Sequence, residues 1–415
     1  MFVSKLITNT RGSLMEVSKE NPIIVAGAGP VGCTFALYLA QHGIPVKILE
    51  SEPEMPLTLR ASTWHPPTLD MMDKLGLGQP LVATGLKVPR YQYRDRRSDL
   101  CAEFDLGTLA GDTNHPYRVQ VEQYRMTKIA AVMLDTLPCA EIEYNTVVET
   151  TWQTDDFVVI KTRTPEGTKE IRAPYVIGAD GASSNIRVSS GIAYEGFTFP
   201  ERFLIASTPF ALDQHIPNLA PVSYFADPEQ WFLALHCGHL WRILVPTDPA
   251  ADPEELLSDD YLENTLQSLV PKKGRYEIGH RTLYPVHQRV AETYRKGRVF
   301  LAGDAAHINN PLGGMGMNGG IHDAYNLAEK MVAFLSGEAS EDAFDLYDRQ
   351  RRTIATEFVQ RQSIRNKEML ENKDPESSRK QIQEMIDITK DPERHKAFCR
   401  ESSMLNCLQE VSEIK

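Results

Sequence analysis

The stretch that most limits how this chain can fold is Gly27-Ala28-Gly29-Pro30-Val31-Gly32, which spells G-x-G-x-x-G. With 26 glycines in 415 residues the pattern arises by chance about 0.1 times per chain, so its surroundings decide what it means. It follows residues 22–26, an apolar run too short for a helix and readable as a buried parallel strand. It opens residues 31–41, where Phe35, Ala36, Leu37, Leu39 and Ala40 surround a helix axis and Gly43 supplies the stop. Residues 44–50 are the next strand. Strand, glycine turn, helix and strand make a βαβ unit, which predicts a doubly wound α/β domain. Pro30 and Val31 start a helix whose N–H groups and dipole face an anion, Gly29 lets the backbone approach a pyrophosphate, and Gly32 allows close helix-on-strand packing. Glu50, 23 residues beyond Gly27, stands at the second strand tip, where a carboxylate accepts from a ribose diol.

The rest of the chain changes texture. Residues 89–97 alternate Tyr91 and Tyr93 with Gln92, Arg94 and Arg96, as an exposed antiparallel strand would. Residues 202–210, 222–225 and 231–245 repeat that texture, whereas 156–161 and 173–179 read as strands of the first domain. Two domains therefore interleave: a dinucleotide-binding domain of residues 21–85, 101–195 and 276–335, and a β-sheet substrate domain of 86–100 and 196–275. Residues 336–415 read as C-terminal helices. The 44 Lys and Arg against 56 Asp and Glu leave a net charge of −12, which disfavours nucleic acid. No run approaches the roughly 18 apolar residues of a membrane span. The first twenty residues, with Lys5, Arg11, Glu16 and Lys19, lack a secretory pattern, so the expected location is cytoplasmic. Six scattered cysteines without a C-x-x-C pair argue against disulfides and a metal site.

Two further segments end strands in an acid and small residues: Val176-Ile177-Gly178-Ala179-Asp180-Gly181-Ala182, and residues 297–307, which contain Gly303-Asp304-Ala305-Ala306-His307. With the glycine turn, Arg187 after the second segment and residues 309–326 after the third, they resemble the three fingerprints of FAD-dependent aromatic-ring monooxygenases of the para-hydroxybenzoate hydroxylase type, over about residues 21–335. The resemblance implies that Asp304 hydrogen-bonds the ribityl chain of a non-covalent FAD, with Gly303 also in the cofactor site. It implies that Arg60 sits near the flavin and pyrophosphate, and that Asp180 ties the second fingerprint to the pyrophosphate region. Gln123 takes the place of a family glutamine that touches FAD, with Gln120 three residues away as the alternative. Pro311 would line the flavin site, and Met315 stands where relatives carry a glutamine or similar residue.

The run of residues 311–320 also has a physical reading. Gly314, Gly316, Met317 and Asn318 lead into a helix whose N–H groups converge on one point, where the negative charge of a reduced flavin would be stabilised. Only one phosphate-binding glycine turn is present, so NADH or NADPH would bind transiently as co-substrate. The implied reaction is hydroxylation of a small aromatic (a phenol, aromatic acid or N-heteroaromatic) with O₂ through a flavin C4a-hydroperoxide. The alternatives are an FAD-dependent reductase or dehydrogenase of the same fold and a non-catalytic flavin-binding redox sensor. Arg94, Tyr224, His236 and His287 are the candidates for anchoring or deprotonating the aromatic, in a monomer or homodimer.

Overall fold

The computed structural model describes residues 15–57 and 59–415; Lys5 and Arg11, in the segment expected to lack a secretory leader, lie outside them. The first sheet has six strands in the order Arg295–Lys296, Val299–Leu301, Val176–Gly178, Ile23–Ala26, Val46–Leu49 and Ala140–Glu143. All neighbours run parallel except the first pair. Every residue of Ile23–Ala26, Val176–Gly178 and Val299–Leu301 is buried, which is why each is a short unbroken apolar run. From Ile23–Ala26 the sheet grows to Val46–Leu49 on one flank and to Val176–Gly178 on the other. A crevice opens at the carboxyl ends where the order reverses, and the glycine turn sits there.

Helices Pro30–Gln41, Gln123–Asp135 and Gly316–Leu335 share this core through Phe35, Leu39, Met126, Ala130, Ile321 and Leu327. An antiparallel sheet of Val147–Gln153, Val158–Thr164 and Gly167–Ala173 joins it through Val148, Val158 and Ile160. The strand expected at 156–161 thus exists in this appended sheet rather than among the parallel strands.

The second large sheet has eight strands in the order His307–Ile308, His280–Ala291, Tyr194–Thr208, Leu240–Pro246, Phe232–Cys237, Val222–Ala226, Arg90–Asp95 and Cys101–Asp105. One pair, Val222–Ala226 with Arg90–Asp95, is parallel. Arg90–Asp95 is therefore not the exposed strand that its alternation suggested. It lies between two neighbours, and Tyr91, Gln92 and Tyr93 are all buried. Two expected boundaries move with the pairing. Cys101–Asp105 and His280–Ala291, assigned from sequence to the dinucleotide-binding domain, are strands of this second sheet. The reason is local for the first, which closes a hairpin onto Arg90–Asp95. For the second it is length, since Tyr194–Thr208 and His280–Ala291 pair from Tyr194 opposite Ala291 to Ser207 opposite His280, with one break in register between Thr198 and Arg202.

The two faces of the second sheet differ. One packs Tyr91, Tyr93, Tyr224 and Leu233 against Leu312 and against Met369, Ile382 and Cys399 of the C-terminal helices. The other packs Phe225, Phe232, Ala234 and Trp241 against Leu262 and Leu266 of the helix Asp259–Leu269. Residues 336–415 form helices Asp342–Ile354, Arg361–Leu370, Pro375–Lys390, Pro392–Ser402 and Leu405–Glu413 with a π-helical turn, Ala355–Gln360, after the first. Asp-Pro pairs start two of them: Asp374 and Asp391 accept from N–H groups of the first turn while Pro375 and Pro392 occupy its opening position. All six cysteines are unpaired, and among the described residues no helix is long and apolar enough to cross a membrane.

Candidate active site

The crevice is built by backbone contacts among the three glycine-bearing segments. Gly27 has φ +98°, and a Cβ there would stand 2.5 Å from the Ala179 carbonyl oxygen of the second segment. A Cβ on Gly32 would come within 2.0 Å of the Gly27 oxygen, so the helix can start this close to the strand only with glycine. Gly29 differs: a Cβ there meets nothing within 4 Å. That open space lies at the N-terminus of Pro30–Gln41, which has no side-chain cap for its N–H groups. Glu50 is buried beside the turn; its Oε2 accepts from Ala28 N at 2.7 Å and its Oε1 from Glu52 N at 3.0 Å and Ser51 Oγ at 3.1 Å. A carboxylate has about four acceptor positions, so Glu50 braces the turn with one left for a hydroxyl.

The third segment docks on the first, since Cβ atoms on Gly303 and Gly320 would stand 2.7 Å and 2.8 Å from Val31 Cγ2. Half-buried Asp304 has no protein donor on its carboxylate among the described residues. Burial raises its pKa, and the charges of His307 and of exposed Arg60 pull it back, which places Arg60 on the Asp304 side of the crevice. Asp180 Oδ2 accepts from Ile186 N at 3.2 Å, while Oδ1 is buried without a partner and burial raises the pKa. Arg187 bolts the second segment to the third, with bonds to the Ala182 and Ala305 carbonyl oxygens at 2.8 and 3.0 Å. Of the two glutamines, Gln120 is consumed inside the protein by Ser62 and Thr63, whereas Gln123 is half-exposed at the start of its helix.

The loop of residues 311–316 carries left-handed Gly313 and Gly314, at φ +110° and +67°, before the helix Gly316–Leu335. That helix also begins without a side-chain cap, and Gly316 and Met317 are partly open. Pro311 is half-buried beside it. The Asn318 side chain is a brace, donating to the Thr63 and Gly314 oxygens at 2.8 and 2.7 Å and accepting from His65 N. Met315 turns into an apolar cluster with Ile354, Val359 and Met404, so its side chain serves packing and offers a ring no hydrogen bond. Open space over Gly29, two uncapped helix N-termini, an unpartnered Asp304 and the orphaned Oδ1 of Asp180 together fit FAD.

Of the four aromatic-site candidates, the structure brings one to the loop. Tyr224 is buried, stacks on Tyr93 at 4.8 Å between centroids, and faces Arg118 and the Gly313 backbone; burial raises its pKa and those two contacts oppose the rise. The other three point elsewhere because strand side chains alternate. Arg94 lies over Phe225 on the far face and bonds the Pro217 oxygen at 3.1 Å. His236 stacks on Trp241 at 4.6 Å, also on the far face. His287 bonds Thr198 Oγ1 at 2.8 Å, while its neighbours Val286 and Gln288 are the buried ones.

Comparison with known proteins then bears directly on this geometry. Residues 20–362 match the family described as FAD binding domain. Para-nitrophenol 4-monooxygenase of Pseudomonas sp. (strain WBC-3) is 34% identical over 358 residues, 85% of this chain and 88% of that one. The chain belongs to the FAD-dependent aromatic-ring monooxygenases of the para-hydroxybenzoate hydroxylase type. This monooxygenase is also 28% identical to pentachlorophenol 4-monooxygenase of Sphingobium chlorophenolicum, over 83% of its own length and 64% of that protein's. The crystal structure of p-nitrophenol 4-monooxygenase PnpA from Pseudomonas putida DLL-E4 superposes with a TM-score of 0.87 at 31% identity, covering 92% of this chain and 98% of that one.

Sequence reasoning missed the residues that hold the monooxygenase's site in place from outside the fingerprints. Buried Asp323 accepts from Gly303 N at 3.1 Å, His307 Nε2 at 2.7 Å and Arg351 Nε at 2.6 Å. Burial raises its pKa, and His307 and Arg351 outweigh that, leaving it below the ordinary carboxylate range. Buried Arg242 bonds Glu122 at 2.6 Å and the Arg60 oxygen at 3.1 Å. Buried His65 faces the Gly313 oxygen at 2.9 Å. Arg351 and Arg242 sit in segments that read as ordinary charged helix and strand, and only pairing across the fold distinguishes them. A cavity of about 740 Å³, lined by Asp70, Lys74, Glu329 and Arg351 among others, touches no residue of the glycine turn, of 176–182 or of 297–307.

Proposed function

We propose that this monooxygenase hydroxylates a small single-ring phenol with electrons from NADH or NADPH. The observation that carries the reading is the aromatic wall of Tyr91, Tyr93 and Tyr224 beside the Gly313 backbone. A cavity of about 240 Å³ lies behind that wall among the C-terminal helices, between Asn366, whose amide reaches the Leu312 oxygen, and Ser402. Both monooxygenases named above act on substituted phenols by their names.

In this reading Gly27, Gly29, Pro30, Val31 and Gly32 hold the pyrophosphate, Glu50 the adenosine ribose, and Gly303 and Asp304 the ribityl chain. Arg60, Gln123 and Asp180 flank the chain between them. Pro311, Gly314, Gly316, Met317 and Asn318 place backbone groups against the ring. Bound FAD would supply the activation of O₂, one of whose atoms is the oxygen transferred. The protein orients the phenol on the tyrosine wall, excludes water with the C-terminal helices and sets an uncapped helix end toward developing negative charge. The absence of a second glycine turn supports a nicotinamide that visits rather than stays. Six unpaired thiols suit the cytoplasm, and a monomer or homodimer is the expected state. The test is NADH and NADPH oxidation by the FAD-loaded protein across a panel of phenols, aromatic acids and N-heteroaromatics. Phenol-dependent stimulation is expected; stimulation by no aromatic, with FAD seated, overturns the reading.

A further inference from the structure

Arg118 lies in the strand Arg118–Gln120 at the back of the tyrosine wall and is 2% exposed. Its guanidinium stacks over the Tyr91 ring at 4.2 Å, donates from Nη2 to the Ser402 oxygen at 3.1 Å and faces the Tyr224 hydroxyl. Nε is buried without a partner. The other deeply buried arginines are matched: Arg242 by Glu122, Arg351 by Asp323, and Arg187 by two backbone carbonyls. Among the described residues Arg118 makes no ion pair. An unmatched guanidinium is costly to bury, because desolvation is repaid only by an anion or a full set of acceptors. What faces it can accept no more charge: Tyr91, Tyr93, Tyr224 and Cys399 are held neutral by burial, and burial pushes His65 well below its ordinary pKa. Among the described residues no group supplies that anion; Tyr224 connects this point to the Gly313 backbone of the loop of residues 311–316, and Ser402, whose carbonyl takes the Arg118 bond, lines the 240 Å³ cavity.

We propose that Arg118 is the receptor for an anionic oxygen of the substrate, so that the chamber takes a small phenol as its phenolate, the proton leaving to solvent. The inference rests on the phenol-hydroxylase reading and names the residue that selects the ionised form. A phenolate is the more electron-rich ring, so holding it also favours oxygen transfer.

The experiment titrates oxidised FAD-loaded enzyme with 4-nitrophenol, whose phenol and phenolate absorb differently, at a pH where the free compound is mostly protonated. Its methyl ether serves as the neutral probe, and wild type is compared with Arg118→Met and Arg118→Lys. Wild type is expected to bind the phenolate. Arg118→Met should lose about tenfold to hundredfold in affinity for it, the value of a bond to a charged group, and keep its affinity for the ether. Arg118→Lys should recover part of the loss. Without ligand, Arg118→Met should melt no lower than wild type, since the buried charge is unmatched. Neutral phenol bound by wild type, or phenolate bound equally well by Arg118→Met, overturns the inference and leaves the phenol reading standing. A lowered melting temperature with unchanged nitrophenol binding does the same, marking Arg118 as a bolt for Ser402. Failure of wild type to bind the phenol at all, with FAD seated, removes both.

Discussion

The six-stranded sheet and the eight-stranded sheet build their halves of the site from different materials. The first works with backbone: close approaches at Gly27, Gly32 and Gly303, uncapped helix N-termini, and carboxylates at strand tips. The second works with side chains that reach one point from separate strands, Tyr91 and Tyr93 from one and Tyr224 from its parallel neighbour, with Arg118 behind them. A backbone cradle tolerates little variation because a Cβ added at Gly27, Gly32 or Gly303 would collide with its neighbours. A wall of side chains can be refitted residue by residue without disturbing the sheet, which suits the role in selecting the aromatic that we propose for it.

Four substitutions or conditions break or sharpen that contrast. The largest effect is expected from Asp323→Asn, which unpairs buried Arg351 and His307 under the Gly303 turn. It should cost about 3–5 kcal/mol of stability, read by urea unfolding of the FAD-loaded protein. A loss below about 1 kcal/mol would show that the cradle does not depend on this carboxylate.

Glu50→Lys removes the last acceptor at the strand tip and the brace on Ala28. FAD affinity should fall roughly tenfold to hundredfold, for a loss of about 1.5–3 kcal/mol, in a fluorescence titration of the apoprotein. Unchanged flavin retention would make Glu50 a structural brace alone.

Acid should strike the first half. Burial lowers His322 to about 3 and holds His65 well below its ordinary value, so between about 6.5 and the folded pKa the unfolded chain binds protons that the folded one refuses. Stability therefore falls as pH drops below about 6.5, by about 2 kcal/mol at pH 5 for His322 alone. Melting temperature against pH should show the slope, and His322→Gln should flatten it; an unchanged slope would locate the titrating group elsewhere.

The smallest effect belongs to the second half. Tyr224→Phe should raise KM for the aromatic by a few-fold, about 0.5–1.5 kcal/mol, and leave FAD affinity alone. Arg94→Ala and His287→Ala, which face away, should change neither; a KM effect from them larger than that of Tyr224→Phe would put the aromatic on another surface.

The same contrast explains what could be read without coordinates. Gly27 to Gly32, Glu50, Asp180 and Gly303-Asp304 were legible because a backbone cradle imposes spacing on the chain itself. Arg94, His236 and His287 were misplaced because a one-residue alternation decides which face a strand side chain takes, and nothing local says which face of Arg90–Asp95, Phe232–Cys237 or His280–Ala291 meets the loop of residues 311–316. The buried strand Arg90–Asp95 looked exposed because its cover, the C-terminal helices, lies about 270 residues later in the chain. Arg118 and Asp323 carry no local signal, since their meaning is a partner, present or missing, across the fold.

The central claim is that the two halves together transfer oxygen to an aromatic ring. The most direct measurement is mass analysis of the product made from a stimulating phenol under ¹⁸O₂ with NADH or NADPH. The account predicts one heavy oxygen atom per product molecule. A product formed with stoichiometric nicotinamide consumption but without heavy oxygen would contradict it and leave a reductase on the same fold.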